Sequence, residues 1–153
     1  MSLHPDFKDL LAVFAAHEVE YLVVGGYAVG FHARPRFTKD IDLWVGHSPD
    51  NLRRVRTALE EFGAPSAMLE QLESALDEDV LWMGVPPVRI DIVKGVPGGS
   101  FSACFSRRVS ASWDGVSVSI IGKDDLIAIK RACGRPQDLL DVEVLAEPSD
   151  DTD

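Results

Sequence analysis

Three aspartates occur in two short patterns that could carry out chemistry. Asp40 and Asp42 flank Ile41 at the start of an apolar run, and Asp91 lies between two isoleucines. Successive side chains of a strand point to opposite faces, so a strand here places Asp40 and Asp42 on one face and turns Ile41 to the core. Two neighbouring carboxylates repel each other unless a cation or a shared proton relieves the repulsion.

The three carboxylates form one cluster if the strand of Asp91 neighbours the strand of Asp40 and Asp42. Such an all-oxygen donor set, without a suitable histidine or cysteine partner, favours Mg²⁺ or Mn²⁺ over zinc. The alternative is ordinary strand polarity, with two solvated acids on one strand face and an isolated acid on another. The two patterns taken separately leave both interpretations open.

A pair of glycines, Gly25-Gly26, follows the apolar run at 21–24 and precedes a predicted helix over 27–33. Glycine lets the backbone approach a ligand closely, and the start of the following helix offers free N–H groups to a phosphate. A tight turn with no ligand is the alternative for this pair. The glycine pair therefore indicates a phosphate-binding site only if it lies close to the aspartates.

The periodicity of apolar residues predicts one α/β or α+β domain with a mixed central sheet flanked by helices. Ser48 caps one helix, and Asp114-Gly115 is a strong two-residue hairpin signal. The domain is expected to span 1–146, followed by a disordered acidic tail over 147–153. Helices are predicted at 6–17, 27–33, 49–62, 66–76, 123–132 and 137–145, and strands at 21–24, 40–45, 80–84, 88–93, 108–113 and 116–121.

The bulk composition narrows the class of protein. The chain has 153 residues, of which 46% are hydrophobic, and this is enough for one sizeable core. A net charge of −10 argues against an extensive surface for duplex nucleic acid. The sequence has neither a signal-peptide pattern nor a membrane-spanning apolar run, and its two cysteines are no disulfide framework. We therefore expect a reduced cytoplasmic protein with no membrane partner.

The order of these patterns resembles the DNA polymerase beta-like nucleotidyltransferase superfamily. The pieces are VVGG at 23–26, thirteen intervening residues, DID at 40–42, and IDI at 90–92. The segment at 25–45, GGYAVGFHARPRFTKDIDLWV, also resembles the small bacterial branch of this superfamily. That branch includes minimal nucleotidyltransferases, antibiotic nucleotidyltransferases and toxin–antitoxin components. The resemblance covers residues 20–145 and implies a single-domain nucleotidyltransferase fold.

The resemblance implies nucleotidyl transfer with two Mg²⁺ or Mn²⁺ ions and a bound nucleoside triphosphate. Asp40 and Asp42 would bind both ions, and Asp91 would complete one ion's site and favour deprotonation of the attacking hydroxyl. Gly25 and Gly26 would cradle the β- and γ-phosphates, and pyrophosphate would leave. The sequence does not identify the base of the nucleotide, and ATP is one candidate donor.

Further residues take roles from the same resemblance. Arg36 and Thr38 precede the acid pair and are predicted to be nucleotide-binding residues. Arg36 could contact phosphate and Thr38 could hydrogen-bond locally; a solvated loop arginine is the alternative for Arg36. Lys130 could reach the triphosphate from a predicted helix. Arg135 and Asp138 are expected to form a structural ion pair.

Two functions of different classes follow. The first is an enzyme that moves NMP from an NTP to an unknown hydroxyl acceptor. The second is a non-catalytic or partner-dependent component, such as one half of a toxin–antitoxin pair, because the chain leaves little room for a helical substrate domain. A protein partner or a homodimer could then supply the part of the substrate site that such a domain would otherwise form. A carboxylate-metal hydrolase would explain the acids but not the glycine pair.

Overall fold

The structure, a computed structural model, describes residues 3–35, 38, 40–74, 80–85 and 88–147. The predicted boundary between a domain at 1–146 and a tail at 147–153 stays a prediction, because residues 148–153 lie outside these ranges. The described residues form seven helices and six strands: α1 Pro5–Ala16, β1 Tyr21–Val24, α2 Gly25–His32, β2 Asp40–Val45, α3 Pro49–Phe62, α4 Ser66–Ser74, β3 Val80–Met83, β4 Arg89–Val93, α5 Phe101–Ser106, β5 Val109–Trp113, β6 Val116–Ile120, α6 Lys123–Cys133 and α7 Pro136–Ala146.

The strands form one mixed sheet in the order β3-β4-β2-β1-β6-β5. Two neighbouring pairs, β2 with β4 and β1 with β6, are parallel, and the other pairs are antiparallel. The predicted mixed sheet flanked by helices is therefore confirmed. Among the described residues, no helix is both long enough and apolar enough to cross a bilayer.

The central strand β2 shows why the sheet can present polar groups on one face. Its apolar residues Ile41, Leu43 and Val45 have no exposed surface, whereas Asp40 and Asp42 are only partly buried. The helix α1 contributes four buried residues at the predicted helical spacing and packs against α3 and β6. This burial of apolar surface supplies the main driving force for the fold.

Local signals fixed several element ends as predicted. The Ser48 hydroxyl accepts a hydrogen bond from the Asn51 N–H at the start of α3, and Gly63 ends that helix at a φ of +99°. Asp114 and Gly115 have φ values of +53° and +84°, which is the geometry of a tight hairpin between β5 and β6.

Two elements differ from the prediction. The second helix begins at Gly25 rather than at residue 27, so the glycine pair forms its first turn and is not a connecting loop. The short helix α5 has no predicted counterpart. Only six residues long, it is stabilised by long-range packing, because the ring of Phe101 lies 5.4 Å from that of Trp44.

One buried side chain, Asn51, ties α3 to the ends of two strands. Its Oδ1 accepts a hydrogen bond from the Glu20 N–H at 2.8 Å, and its Nδ2 donates to the carbonyls of Glu20 at 2.9 Å and Gly46 at 2.7 Å. Asn51 is 2% exposed, so water cannot replace these partners without a rearrangement. This amide joins the entry of β1 to the exit of β2.

We expect Asn51→Ala to lower the free energy of unfolding by about 2–3 kcal/mol, because it leaves buried backbone groups unpaired. Ser48→Ala is the matched control from the same helix start and removes only the cap, at a cost of about 1 kcal/mol. Urea unfolding followed by circular dichroism measures both. Equal losses in the two variants would contradict the role assigned to Asn51.

Candidate active site

The three predicted aspartates converge because β2 and β4 pair in parallel. The register places Asp42 beside Asp91 and Asp40 beside Arg89, so these side chains share one face of the sheet. One carboxylate oxygen from each of the three aspartates lies within 4.8 Å of the others. We refer to Asp40, Asp42 and Asp91 as the carboxylate cluster.

Burial and mutual repulsion change the ionisation of this cluster. Desolvation raises the pKa of Asp42 to about 7, and the charges of Asp40 and Asp91 add to the shift, against an opposing effect of Lys130. Burial also raises the pKa of Asp40, helped by a hydrogen bond with Asp91. Near neutral pH the cluster therefore favours either a shared proton or a bound cation.

The donor set fits a divalent cation. The cluster consists of carboxylates from two adjacent strands, and it includes no histidine or cysteine among the described residues. Hard cations such as Mg²⁺ and Mn²⁺ prefer oxygen ligands of this kind. A cation here would relieve the repulsion that raises the pKa of Asp42.

The cluster opens onto a cleft of about 700 Å³. One wall carries the cluster and the predicted glycines, Gly25 and Gly26. A second part of the lining, which we call the α6–α7 wall, comes from α6, α7 and the residues between them and carries Lys130, Arg135, Asp138 and Asp141. The volume lies in the range of small-molecule sites.

The side chain of Asp42 requires a glycine at residue 25. Gly25 has a φ of +69°, and a Cβ at this position would overlap Oδ2 of Asp42 and lie 2.9 Å from its Cγ. The absence of a side chain at residue 25 therefore makes the space that the Asp42 carboxylate fills. Gly26 follows in the first turn of α2, so the backbone of the glycine pair and the carboxylate of Asp42 line the same part of the cleft.

Of Arg36 and Thr38, the two residues predicted to bind nucleotide just before the acid pair, the structure describes only Thr38. The hydroxyl of Thr38 donates a hydrogen bond to the Asp40 carbonyl at 3.2 Å, as expected of a local contact. Thr38 does not line the cleft, so its side chain supports the start of β2. Arg36 lies outside the described residues.

The α6–α7 wall contains an ionic group in which Lys130, Asp138 and Asp141 are buried and Arg135 is exposed. Nζ of Lys130 lies 3.0 Å from Oδ2 of Asp141 and 3.5 Å from Oδ1 of Asp138. Nε of Arg135 donates to Oδ2 of Asp138 at 2.7 Å, which confirms the predicted ion pair. Burial works to raise the pKa of Asp138, but the hydrogen bond and charge of Arg135 and the charge of Lys130 outweigh it and lower that pKa.

Sequence reasoning missed two residues beside the cluster. Nε of Arg89 donates to Oδ1 of Asp91 at 2.8 Å, and its guanidinium carbon lies 4.8 Å from the ring centroid of Trp82. The i, i+2 spacing of Arg89 and Asp91 could have indicated a shared strand face. The contact with Trp82 depends on the pairing of β3 with β4, where Trp82 lies opposite Asp91.

Taken together, the chain has the nucleotidyltransferase fold, a mixed sheet with an acidic cluster beside a strand–Gly-Gly–helix element. The crystal structure of ANT(2″)-Ia in complex with adenylyl-2″-tobramycin is similar to it, with a TM-score of 0.56 and 14% identity over 91% of this chain and 84% of that chain. An antigenic nucleotidyltransferase-like protein from Paracoccidioides brasiliensis is also similar, with a TM-score of 0.50 and 14% identity over 95% and 76% of the two chains. No family model matches the sequence, and no curated protein matches it.

We expect Gly25→Ala to destabilise the protein and to displace the Asp42 carboxylate, because the added Cβ meets both a positive φ and that carboxylate. Gly63→Ala is the matched control, since Gly63 also has a positive φ but open space around it. The control should cost roughly 1–2 kcal/mol and leave Mn²⁺ binding intact. Calorimetric titration with Mn²⁺ should show binding lost or strongly weakened only in Gly25→Ala. Unchanged binding in that variant would contradict the steric argument.

The raised pKa of Asp42 predicts a pH dependence of stability without metal. The pKa rises from 3.8 to about 7 on folding, so the metal-free protein loses stability as the pH increases through this interval. Asp42→Asn removes the titrating group, and we expect it to exceed the wild type in unfolding free energy at pH 8 by on the order of 2 kcal/mol. The difference should shrink towards pH 4. Urea unfolding in EDTA at both pH values tests this, and parallel pH profiles would refute it.

Proposed function

We propose that the protein is a metal-dependent nucleotidyltransferase that moves NMP from an NTP to a hydroxyl acceptor. The observation that carries the proposal is the convergence of the carboxylate cluster within 4.8 Å, beside Gly25 and Gly26, in a cleft of about 700 Å³. The motif order and the likeness of fold to ANT(2″)-Ia support the same reaction class.

In the proposed reaction, the acceptor oxygen forms a bond to the α-phosphorus of the NTP. The bond from that phosphorus to the bridging oxygen breaks, and pyrophosphate leaves with the electron pair. Two Mg²⁺ or Mn²⁺ ions, when bound, would supply positive charge for the triphosphate and for the attacking and leaving oxygens. The hydroxyl proton passes to a nearby carboxylate or to water.

The side chains of the chain would divide the work. Asp40 and Asp42 would hold both cations, and Asp91 would complete the site nearer the acceptor and favour loss of the hydroxyl proton. The backbone of Gly25 and Gly26, at the first turn of α2, would offer N–H groups to the β- and γ-phosphates. Each role uses a group that lines the cleft.

Lys130 would take a secondary part. Its ammonium lines the cleft, but it is 8% exposed and lies 3.0 Å from Asp141. It would reach a phosphate only if that ion pair loosened, and otherwise it acts on the cluster through its charge.

The ligand of ANT(2″)-Ia and the net charge of this chain indicate which donor and acceptor to test. ATP is the first donor to test, since ANT(2″)-Ia was crystallised with an adenylyl compound. A net charge of −10 suits a cationic acceptor, because long-range attraction raises the encounter rate.

The partner-dependent alternative, including a toxin–antitoxin component or a homodimer, rests on the limited room for a helical substrate domain. The aligned region, however, includes 84% of the ANT(2″)-Ia chain. Little of that chain is thus without a counterpart here. This comparison favours the enzyme over the partner-dependent component.

We expect wild-type protein to bind Mg²⁺–ATP and to release pyrophosphate when an acceptor is present, and Asp42→Asn to lose at least about a hundredfold in either signal. Binding is measured by calorimetry with each of the four NTPs, so it does not require a known acceptor. Asp50→Asn is the control, because Asp50 is an exposed aspartate that pairs with Arg53 on α3. Metal-dependent NTP binding that survives Asp42→Asn would overturn the proposal, and so would release of orthophosphate instead of pyrophosphate.

A further inference from the structure

The residue Arg89 lies between the carboxylate cluster and an exposed aromatic ring. Its Nε donates to Oδ1 of Asp91 at 2.8 Å, and its guanidinium carbon lies 4.8 Å from the ring centroid of Trp82. Trp82 is 57% exposed, although large aromatic side chains usually bury most of their surface. It is on β3, an edge strand, directly opposite Asp91. The ring therefore holds Arg89 against the cluster.

The charges that line the cleft divide into two groups. Lys130 and Arg135 are held by Asp138 and Asp141, which gives two positive charges against two negative ones. Arg89 contacts Asp91, and the charges of Asp40 and Asp42 also act on its guanidinium. Among the described residues that line the cleft, Arg89 is thus the cation that directly contacts the cluster.

On the basis of the proposed function, we propose that Arg89, held by Trp82, is an internal counter-cation of the carboxylate cluster and releases Asp91 when divalent cations bind. Its positive charge offsets part of the repulsion among the three carboxylates in the metal-free protein. The same charge repels an incoming cation, and the same hydrogen bond occupies Oδ1 of Asp91. Arg89 and a divalent cation therefore compete for one oxygen.

This exchange requires no unfolding of the chain. The Arg89 side chain is 35% exposed, so its guanidinium can turn away from both Asp91 and the Trp82 ring towards solvent. Arg89 is then a positioning residue, and the contact with Trp82 stabilises only its Asp91-bound state. A purely structural arginine would instead be required for both stability and metal binding.

The test is a titration with Mn²⁺ alone, together with the melting temperature in EDTA. We expect Arg89→Gln to melt at a lower temperature than the wild type in EDTA, and to bind Mn²⁺ roughly two- to fivefold more tightly. Arg89→Lys keeps the charge and should shift the Mn²⁺ affinity less. Weaker or unchanged Mn²⁺ binding in Arg89→Gln overturns the inference.

Two further variants and one control make the experiment decisive. Trp82→Ala removes an exposed side chain and should shift Mn²⁺ affinity in the same direction as Arg89→Gln, by less, whereas Trp82→Phe should match the wild type. These variants carry the test if Arg89→Gln does not fold, and Trp82→Ala binding no more tightly than Trp82→Phe overturns the inference. Arg107→Gln is the control, since it removes a guanidinium from Asp125 elsewhere and should leave Mn²⁺ affinity unchanged.

The same titration separates this inference from the proposed function. If the wild type binds no Mn²⁺, or if Asp42→Asn binds it equally well, the metal site fails and the inference fails with it. If Asp42→Asn loses binding while Arg89→Gln matches the wild type, the metal site stands and only the role of Arg89 is overturned.

Discussion

The repulsion among three carboxylates on adjacent strands is the constraint on which the site depends. The parallel register of β2 and β4 brings Asp42 beside Asp91, and no rearrangement of side chains within one sheet face can move them far apart. The fold therefore holds charges that would separate in an unfolded chain. What relieves the repulsion is a proton, the neighbouring cations or a bound metal ion, and each of these makes the cluster sensitive to its surroundings.

The rest of the domain offsets the free-energy cost of holding these charges together. On the opposite side of β2, Ile41, Leu43 and Val45 have no exposed surface, so the strand that carries two of the acids is anchored in the core. Asn51 fixes the end of the same strand through Gly46. A rigid strand can present unfavourable charges because its other face contributes the stability that they remove, and local rules are typically broken at functional sites of this kind.

Sequence reasoning reached the parts of the site that depend on local geometry. Alternation along a strand was enough to pair Asp40 with Asp42, whereas the adjacency of Asp91 depended on a strand pairing across more than forty residues and entered through the family resemblance. The reason for Gly25 lies in the side chain of Asp42, seventeen positions further along, and no local pattern contains it. The helix α5 escaped prediction because its stability comes from the distant Trp44.

The cleft contains a second group of acids, Asp138 and Asp141, and comparing it with the carboxylate cluster explains why a cation would bind at the cluster. Asp138 and Asp141 are nearly buried, yet Lys130 and Arg135 satisfy them with two positive charges, and the pKa of Asp138 falls below its ordinary value. Among the described residues, one guanidinium contacts the three acids of the carboxylate cluster, and the pKa of Asp42 rises to about 7. Despite burial, the pKa of Asp138 is lowered because Arg135 and Lys130 pair with it, whereas burial and the neighbouring carboxylates raise the pKa of Asp42. The acids of the α6–α7 wall are thus already paired with cations, and the carboxylate cluster keeps an excess of negative charge. A divalent cation would therefore gain more at the cluster than at the α6–α7 wall, where it would have to displace two ion pairs.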